Sequence, residues 1–552
     1  MSDYFDLGSY HRPIAATSAQ AQLWFDRGLN WTYGFNHHEA IRCFERALEH
    51  DPNCVMARWG IAFAAGPNYN VRWEILGEMA LAHMVSTCHA ATQSAVELLD
   101  RATPLERGLI MALQARYPAP VPAEDCYVWS ADYANAMRSL YRDFSDDLDV
   151  AALFADALTN RAPWNLWDLE ARIPTEGLDT LEAMEVLERA LEQPGGRSHP
   201  GVLHMYIHLM EMSPYPERAL QAADYLRDLV PDAGHLRHMS THIDVLCGHY
   251  HDVIASNTAA IVADTKFLER EGAMNVYTMY RIHNLHFLLY GAMFQAQSEL
   301  AVATADKLIA AIPRALLDMT VPVPMADLLE PFFAVKLHAL IRFGRWQEII
   351  DTPLPDDQVL FCVTTAMTHY AKGVALAATG KVDAAKEQQR LFTAAVSRVP
   401  ESRIHLRIPC IDLLAIAAEM LAGEIAYREE NYDAAFAHLR QSVALYDGLA
   451  YAEPWAWMQP ARHALGALLL EQDRVEEAET IYRADLGLDD TLARAFQHPE
   501  NVWSLHGYHE CIMRLNKHDQ CTMIKQRLDL AAARADIAIE SSCACRMATA
   551  AD

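Results

Sequence analysis

The chain has 552 residues, 52% of them hydrophobic, with a formal net charge of −28 and eleven cysteines. That charge argues against nucleic acid and anionic membrane surfaces as partners. No run of about 18 apolar residues suggests a membrane span, and the opening MSDYFDLGSYHRP has neither the basic nor the apolar region of a secretory leader. The cysteines are odd in number and scattered, with one close pair, Cys543 and Cys545, so a reduced, cytoplasmic setting is expected.

Residues 1–20 read as an extended N-terminal arm. From Ala21 a repeat begins: Trp24, Gly28, Trp31, Ala40, Phe44, Ala47 and Pro52 occupy the signature positions of the 34-residue tetratricopeptide helix–turn–helix unit. From 71 to 195 the helical period persists without the 34-residue spacing. Helices are predicted near 72–100, 104–116, 127–143, 147–160 and 178–193, separated by loops at 118–125 and 160–168. The second loop concentrates Trp164, Asn165 and Trp167, which suits a wall of a substrate site or, more commonly, packing between repeats. Units then phase from Pro200, Gly234 and Ile282, and later from Ile416, Gln459 and Glu500. The fold class is therefore all-α: a tetratricopeptide-repeat α-solenoid of stacked helical hairpins with a concave central groove, a single superhelix over 21–535. The His-rich groove repeats span 199–313 and regular repeats span 330–535. Residues 536–552 read as a disordered tail.

The histidines of 199–290 fall into register. His204 and His238 are 34 residues apart, and so are His208 and His242. At about 100° per residue, repeat positions 2, 5, 9 and 12 form an arc separate from the packing arc of the first helix. In a solenoid that arc lines the groove. Its twelve positions in three units are Gly201, His204, His208, Glu211, His235, His238, His242, Val245, His283, His286, Tyr290 and Met293. Two histidines four apart on a helix place two imidazoles on one face. Neighbouring helices about 8–10 Å apart bring further imidazoles toward a common ion about 2 Å from each nitrogen. The metal-ligand candidates are thus His204, His208, Glu211, His235, His238, His242, His283 and His286. Glu211 and Tyr290 are the catalytic candidates, Glu211 as ligand or general base. His199, before Pro200, reads as a helix cap, and His249 and His251 as solvent-exposed turn residues.

Several segments together, among them FNHHEAI, HPGVLHMYIHLMEMS, PDAGHLRHMSTHI, YRIHNLHFLLY and EPWAWMQPARHALGALLL, resemble a large bacterial and fungal family of tetratricopeptide-repeat proteins. That family is distantly similar to the tetratricopeptide repeat protein 38-like group. The resemblance covers nearly the whole chain. It implies an α-solenoid and marks the same histidine segments as a family signature, but it brings no activity with it. Where relatives usually read H-M-P-S-H, this chain has His238-Met239-Ser240-Thr241-His242.

The expected function is a metal-dependent enzyme with a His-rich, mononuclear or dinuclear centre acting on a small organic substrate. The expected chemistry is that of an oxidoreductase or oxygenase using one or two Fe or Cu ions per chain. Zn is compatible with the same donors, so a zinc hydrolase or lyase on that site stays open. So do an adaptor binding a peptide or protein, a homodimer through the solenoid, and a metal buffer. The inner positions offer His, Tyr, Glu and Met rather than Lys, Arg or Asn, which counts against capture of a peptide carboxylate.

Overall fold

A computed structural model describes residues 4–320 and 323–547. The chain divides into two compact units. The first comprises residues 1–243, 256–281 and 320–323; the second comprises 244–255, 282–319 and 324–552. Each is built from antiparallel helix pairs, with two short hairpins, 167–168 with 173–174 and 404–405 with 408–409, as the β-structure among the described residues. No described helix is long and apolar enough to cross a membrane.

In the first unit the opening hairpin pairs Ala19–Tyr33 with His37–His50. Its packing explains the repeat signature. A Cβ on Gly28 would lie 2.5 Å from the Phe44 ring, and one on Gly60 would lie 2.6 Å from the same ring. The ring is therefore held between two bare backbones. The second unit repeats the device, with Tyr482 against Gly466 and Gly507. The predicted helices recur as Pro104–Arg116, Tyr127–Asp143, Leu148–Thr159 and Thr180–Glu192. The helix expected over 72–100 is confined to Glu78–Val96, because a bridge between Asn68 and Val71 and a turn at Trp73–Ile75 hold the preceding chain.

The N-terminal arm is pinned by a buried charge cluster. Arg12 pairs with Asp147 and Asp149. Asp149 also accepts from Tyr33 and faces His199 Nε2 at 3.2 Å. Tyr10 reaches the same His199 nitrogen at 2.9 Å. The Arg12 guanidinium and these donors outweigh burial and hold the Asp149 carboxyl far below the usual range. His199 Nδ1 accepts from the Val202 N–H at 3.1 Å, so this residue is the helix cap expected from sequence.

The C-terminal segment departs from expectation. It reads from sequence as a disordered tail, yet Asp536 accepts from the Ser298 and Glu299 N–H groups at the start of a helix. Ser541, Ser542, Cys543 and Cys545 are buried, and the two cysteines are joined as a disulfide. Ser542 explains the docking: its hydroxyl bonds to Tyr482 and to the His463 carbonyl, and its own carbonyl accepts from Arg342. The final residues of the expected tail, 548–552, lie outside the described ones.

Candidate functional site

Pro200–Met210 and Gly234–Leu246 carry the histidines of the candidate site. Pro200 suits the first helical turn, where its missing N–H is no loss. The i, i+4 spacing puts the His204 and His208 ring centroids 4.7 Å apart, and His235 lies 5.0 Å from His204 and 6.4 Å from His208. One ring nitrogen from each of these three lies within 4.8 Å of the other two.

Hydrogen bonding fixes the protons of two of these rings. His204 Nδ1 is 2.6 Å from the Tyr33 carbonyl, and His208 Nδ1 is 3.0 Å from Glu211 Oε1. A carbonyl and a carboxylate only accept, so Nδ1 donates in both rings and Nε2 keeps its lone pair. Among the described residues, His204 Nε2, His208 Nε2 and both ring nitrogens of His235 have no hydrogen-bond partner. Burial holds these imidazoles neutral. His204 is pushed down to about 3 and His208 to about 4, where the Glu211 charge pulls the other way and does not prevail; His235 falls well below its ordinary value.

His238 and His242 behave differently. Their Nε2 atoms face each other at 2.8 Å. His238 Nδ1 is 2.7 Å from Asn257 Oδ1, and His242 Nδ1 is 2.7 Å from Glu211 Oε2. Glu211 therefore lies between the two helices, accepting from His208 and facing His242. The other expected residues belong to the second unit. There His286 packs against Phe332 and His405, His283 lies half-buried beside Phe287, and Tyr290 stacks on Phe294 and Trp455. Burial raises the Tyr290 hydroxyl well above its ordinary value.

The inner arc is not open to solvent. Of its twelve positions, His283 is half-buried and the other eleven are buried. In the first unit the cover comes from side chains outside the repeat signature. The Tyr33 ring lies where a Cβ on Gly201 would be, 2.5 Å away. Phe35 stacks on His208 and His235 at 5.5–5.7 Å and tilts onto His204 at 4.4 Å. Tyr69 sits 4.6 Å from His208, and Tyr280 sits 4.5 Å from His235. Trp164 donates to the Tyr69 carbonyl and lies 6.2 Å from His208. Phe35 and Trp164 reach these places with φ of +55° and +65°, conformations uncommon for large side chains. A cavity of about 20 Å³ touches His204 and is lined also by Phe35, Phe63 and Asp156. It has room for one water. Asp156, raised by burial to about 6, supplies its one carboxyl.

A tetratricopeptide-repeat family model matches residues 21–54. The chain contains a tetratricopeptide repeat. No curated protein matches it. Among solved structures it is similar to yeast Tom70, at 12% identity over 92% of this chain and 98% of that one, with a TM-score of 0.29. It is also similar to the APC/C hetero-tetramer Cut9–Hcn1, at 14% identity over 93% of this chain and 87% of that one, with a TM-score of 0.27. A third is Naa15/Naa10 bound to HypK-THB, at 12% identity, 93% and 84% coverage and a TM-score of 0.23. Scores this low carry no weight for what the chain does.

Proposed function

We propose that the chain is a helical-repeat scaffold for a protein partner, held on solvent-facing helix surfaces rather than against the buried inner arc. The observation that carries this reading is the helix Glu78–Val96. Over 19 residues it has one Asp, Glu, Lys or Arg side chain, Glu78, in a chain where 21% of residues are of these types. Its solvent-facing stripe runs Met79, Ala82, His83, Ser86 and Ala90, and Met79 is 75% exposed. Depletion of charge marks the core of protein–protein interfaces, and exposed apolar surface marks interaction sites. The repeat at 21–54 supports the reading, since stacked repeats present extended binding surfaces. A net charge of −28 favours a basic partner through steering. The test is capture with full-length protein and with a Met79→Glu/Ala82→Glu variant, followed by cross-linking to the helix. A partner cross-linked to 78–96 in the parent and lost in the variant supports the proposal. Identical capture by both proteins removes it.

A metal-dependent enzyme is the second reading, and its specific support is the set of open imidazole nitrogens. The cavity that touches His204 accommodates water or a diatomic molecule, so activation of water or O2 fits it better than binding of an organic substrate. Oxygen uptake by iron- or copper-loaded protein, abolished in His235→Ala, supports this reading. Its absence with both metals counts against the oxygenase form.

A further inference from the structure

We infer that His204, His208 and His235 form a single three-histidine site for a divalent first-row transition-metal ion. Eight ligand candidates follow from the sequence; three of them come together within the first unit. The site lies within the first unit and is independent of the scaffold reading.

Three observations converge. The first is proximity: a ring nitrogen from each residue lies within 4.8 Å of the others. A tetrahedral ion with Zn–N bonds of ~2.0–2.1 Å needs nitrogens ~3.4 Å apart, an approach that side-chain rotation supplies. The second is the pattern of satisfied and open atoms. His204 and His208 each donate Nδ1–H to a fixed acceptor, the Tyr33 carbonyl and the Glu211 carboxylate. Metal-ligating histidines are oriented in this way, by an acceptor behind the ring. Their Nε2 atoms, and both ring nitrogens of His235, have no partner among the described residues although all three side chains are at most 1% exposed. The third is the contrast with His238 and His242 on the same face. There each Nε2 has the other ring's nitrogen within hydrogen-bond distance, 2.8 Å, and Asn257 Oδ1 sits 2.7 Å from His238 Nδ1, whereas the open Nε2 atoms of His204 and His208 have no such neighbour among the described residues.

The donor set is all imidazole, which suits Zn, Cu, Fe and Ni. A three-histidine set leaves a coordination position for water or another small ligand, and the cavity touching His204 offers room for one. Glu211 is a positioning residue: it holds the His208 ring and carries the compensating charge.

The experiment uses untagged full-length protein, stripped with a chelator and dialysed against Co²⁺ or Zn²⁺. The expected result is one ion per chain, visible Co²⁺ d–d bands, and an absorption-edge fit for the zinc form with three nitrogen scatterers near 2.0 Å and no sulfur. His204→Ala, His208→Ala and His235→Ala should each weaken binding at least about 100-fold, while His338→Ala, in the second unit, leaves it unchanged. The edge measurement on the parent protein decides the matter even if a variant fails to fold. No stoichiometric ion in the parent, sulfur in the coordination shell, or undiminished binding in a folded triple variant would overturn the inference.

Discussion

Lowering the pH from about 7.5 to about 5.5 should destabilise the second unit through its buried histidines. His338, His405 and His463 are 6%, 4% and 1% exposed. Burial lowers them to about 4, about 3 and about 4 respectively. Unfolding releases each to an ordinary value near 6.5. The sign follows from proton counting: below about pH 6.5 the unfolded chain binds protons that the folded chain refuses. Stability is therefore intact above that pH and falls progressively until about pH 4 or 3, where the folded rings titrate. At about pH 5.5 each ring contributes a loss of about 1.4 kcal/mol, or about 4 kcal/mol for these three and about 5–6 kcal/mol with His286, which burial also lowers, against total domain stabilities of roughly 5–15 kcal/mol. Glu330 and Glu424 work against this, because burial raises both carboxyls and their proton uptake favours the folded state in acid. Urea unfolding followed by the fluorescence of Trp455, Trp457 and Trp503 gives the measurement. His405→Gln should remove about a quarter of the pH dependence, since His286 is lowered by burial too. A midpoint that is unchanged or higher at the lower pH refutes the reasoning.

Other outcomes follow from named contacts. Gly28→Ala drives a methyl into the Phe44 ring, 2.5 Å away, and should cost about 1–3 kcal/mol in thermal unfolding; a rise in Tm would contradict the ring-between-glycines packing. Asp149→Asn removes the charge that Arg12 faces in a buried setting, with a cost of about 3–5 kcal/mol. Limited proteolysis should then cut before Ala19 faster than in the parent. Glu211→Ala takes away the acceptor used by His208 and the carboxylate that faces His242, and should cost at least about 2 kcal/mol, read from denaturant midpoints.

The hairpin register was legible because the signature residues are steric necessities: glycines at 28 and 466 exist to seat Phe44 and Tyr482. The helices 104–116 and 127–143 match their predicted bounds to the residue, since Thr103 with Glu106 makes a capping box and strong apolar periodicity spans the second. Repeat phase located positions but not ends: the unit phased from Ile282 has a helix that begins at Tyr277. The two-residue β pairings at 167–174 and 404–409 carry no alternation long enough to read. At the candidate site, helical spacing placed His204, His208 and His235 together. It gave no sign of Phe35, Tyr69 or Trp164, which approach from loops whose backbone conformation a periodicity argument does not see. That is why an arc expected to face an open groove is instead covered.

The covered arc also separates an ion-binding cluster from a self-satisfied histidine network. Burying an imidazole nitrogen without a partner costs about 1–3 kcal/mol, and apolar side chains of similar shape avoid that cost. His238 meets it through Asn257, and its Nε2 lies within hydrogen-bond distance of His242 Nε2. His235 does not, although Phe35, Tyr280 and three other imidazoles surround it. A leucine there would pack as well and leave nothing unmet. His235→Leu therefore distinguishes the two cases. If the residue is only a packing group, the variant should be more stable than the parent, with or without added Zn²⁺. If it is a ligand, the variant gains stability in metal-free buffer. It then loses the rise in stability that saturating Zn²⁺ gives the parent, about 2.7 kcal/mol at a hundred times the dissociation constant.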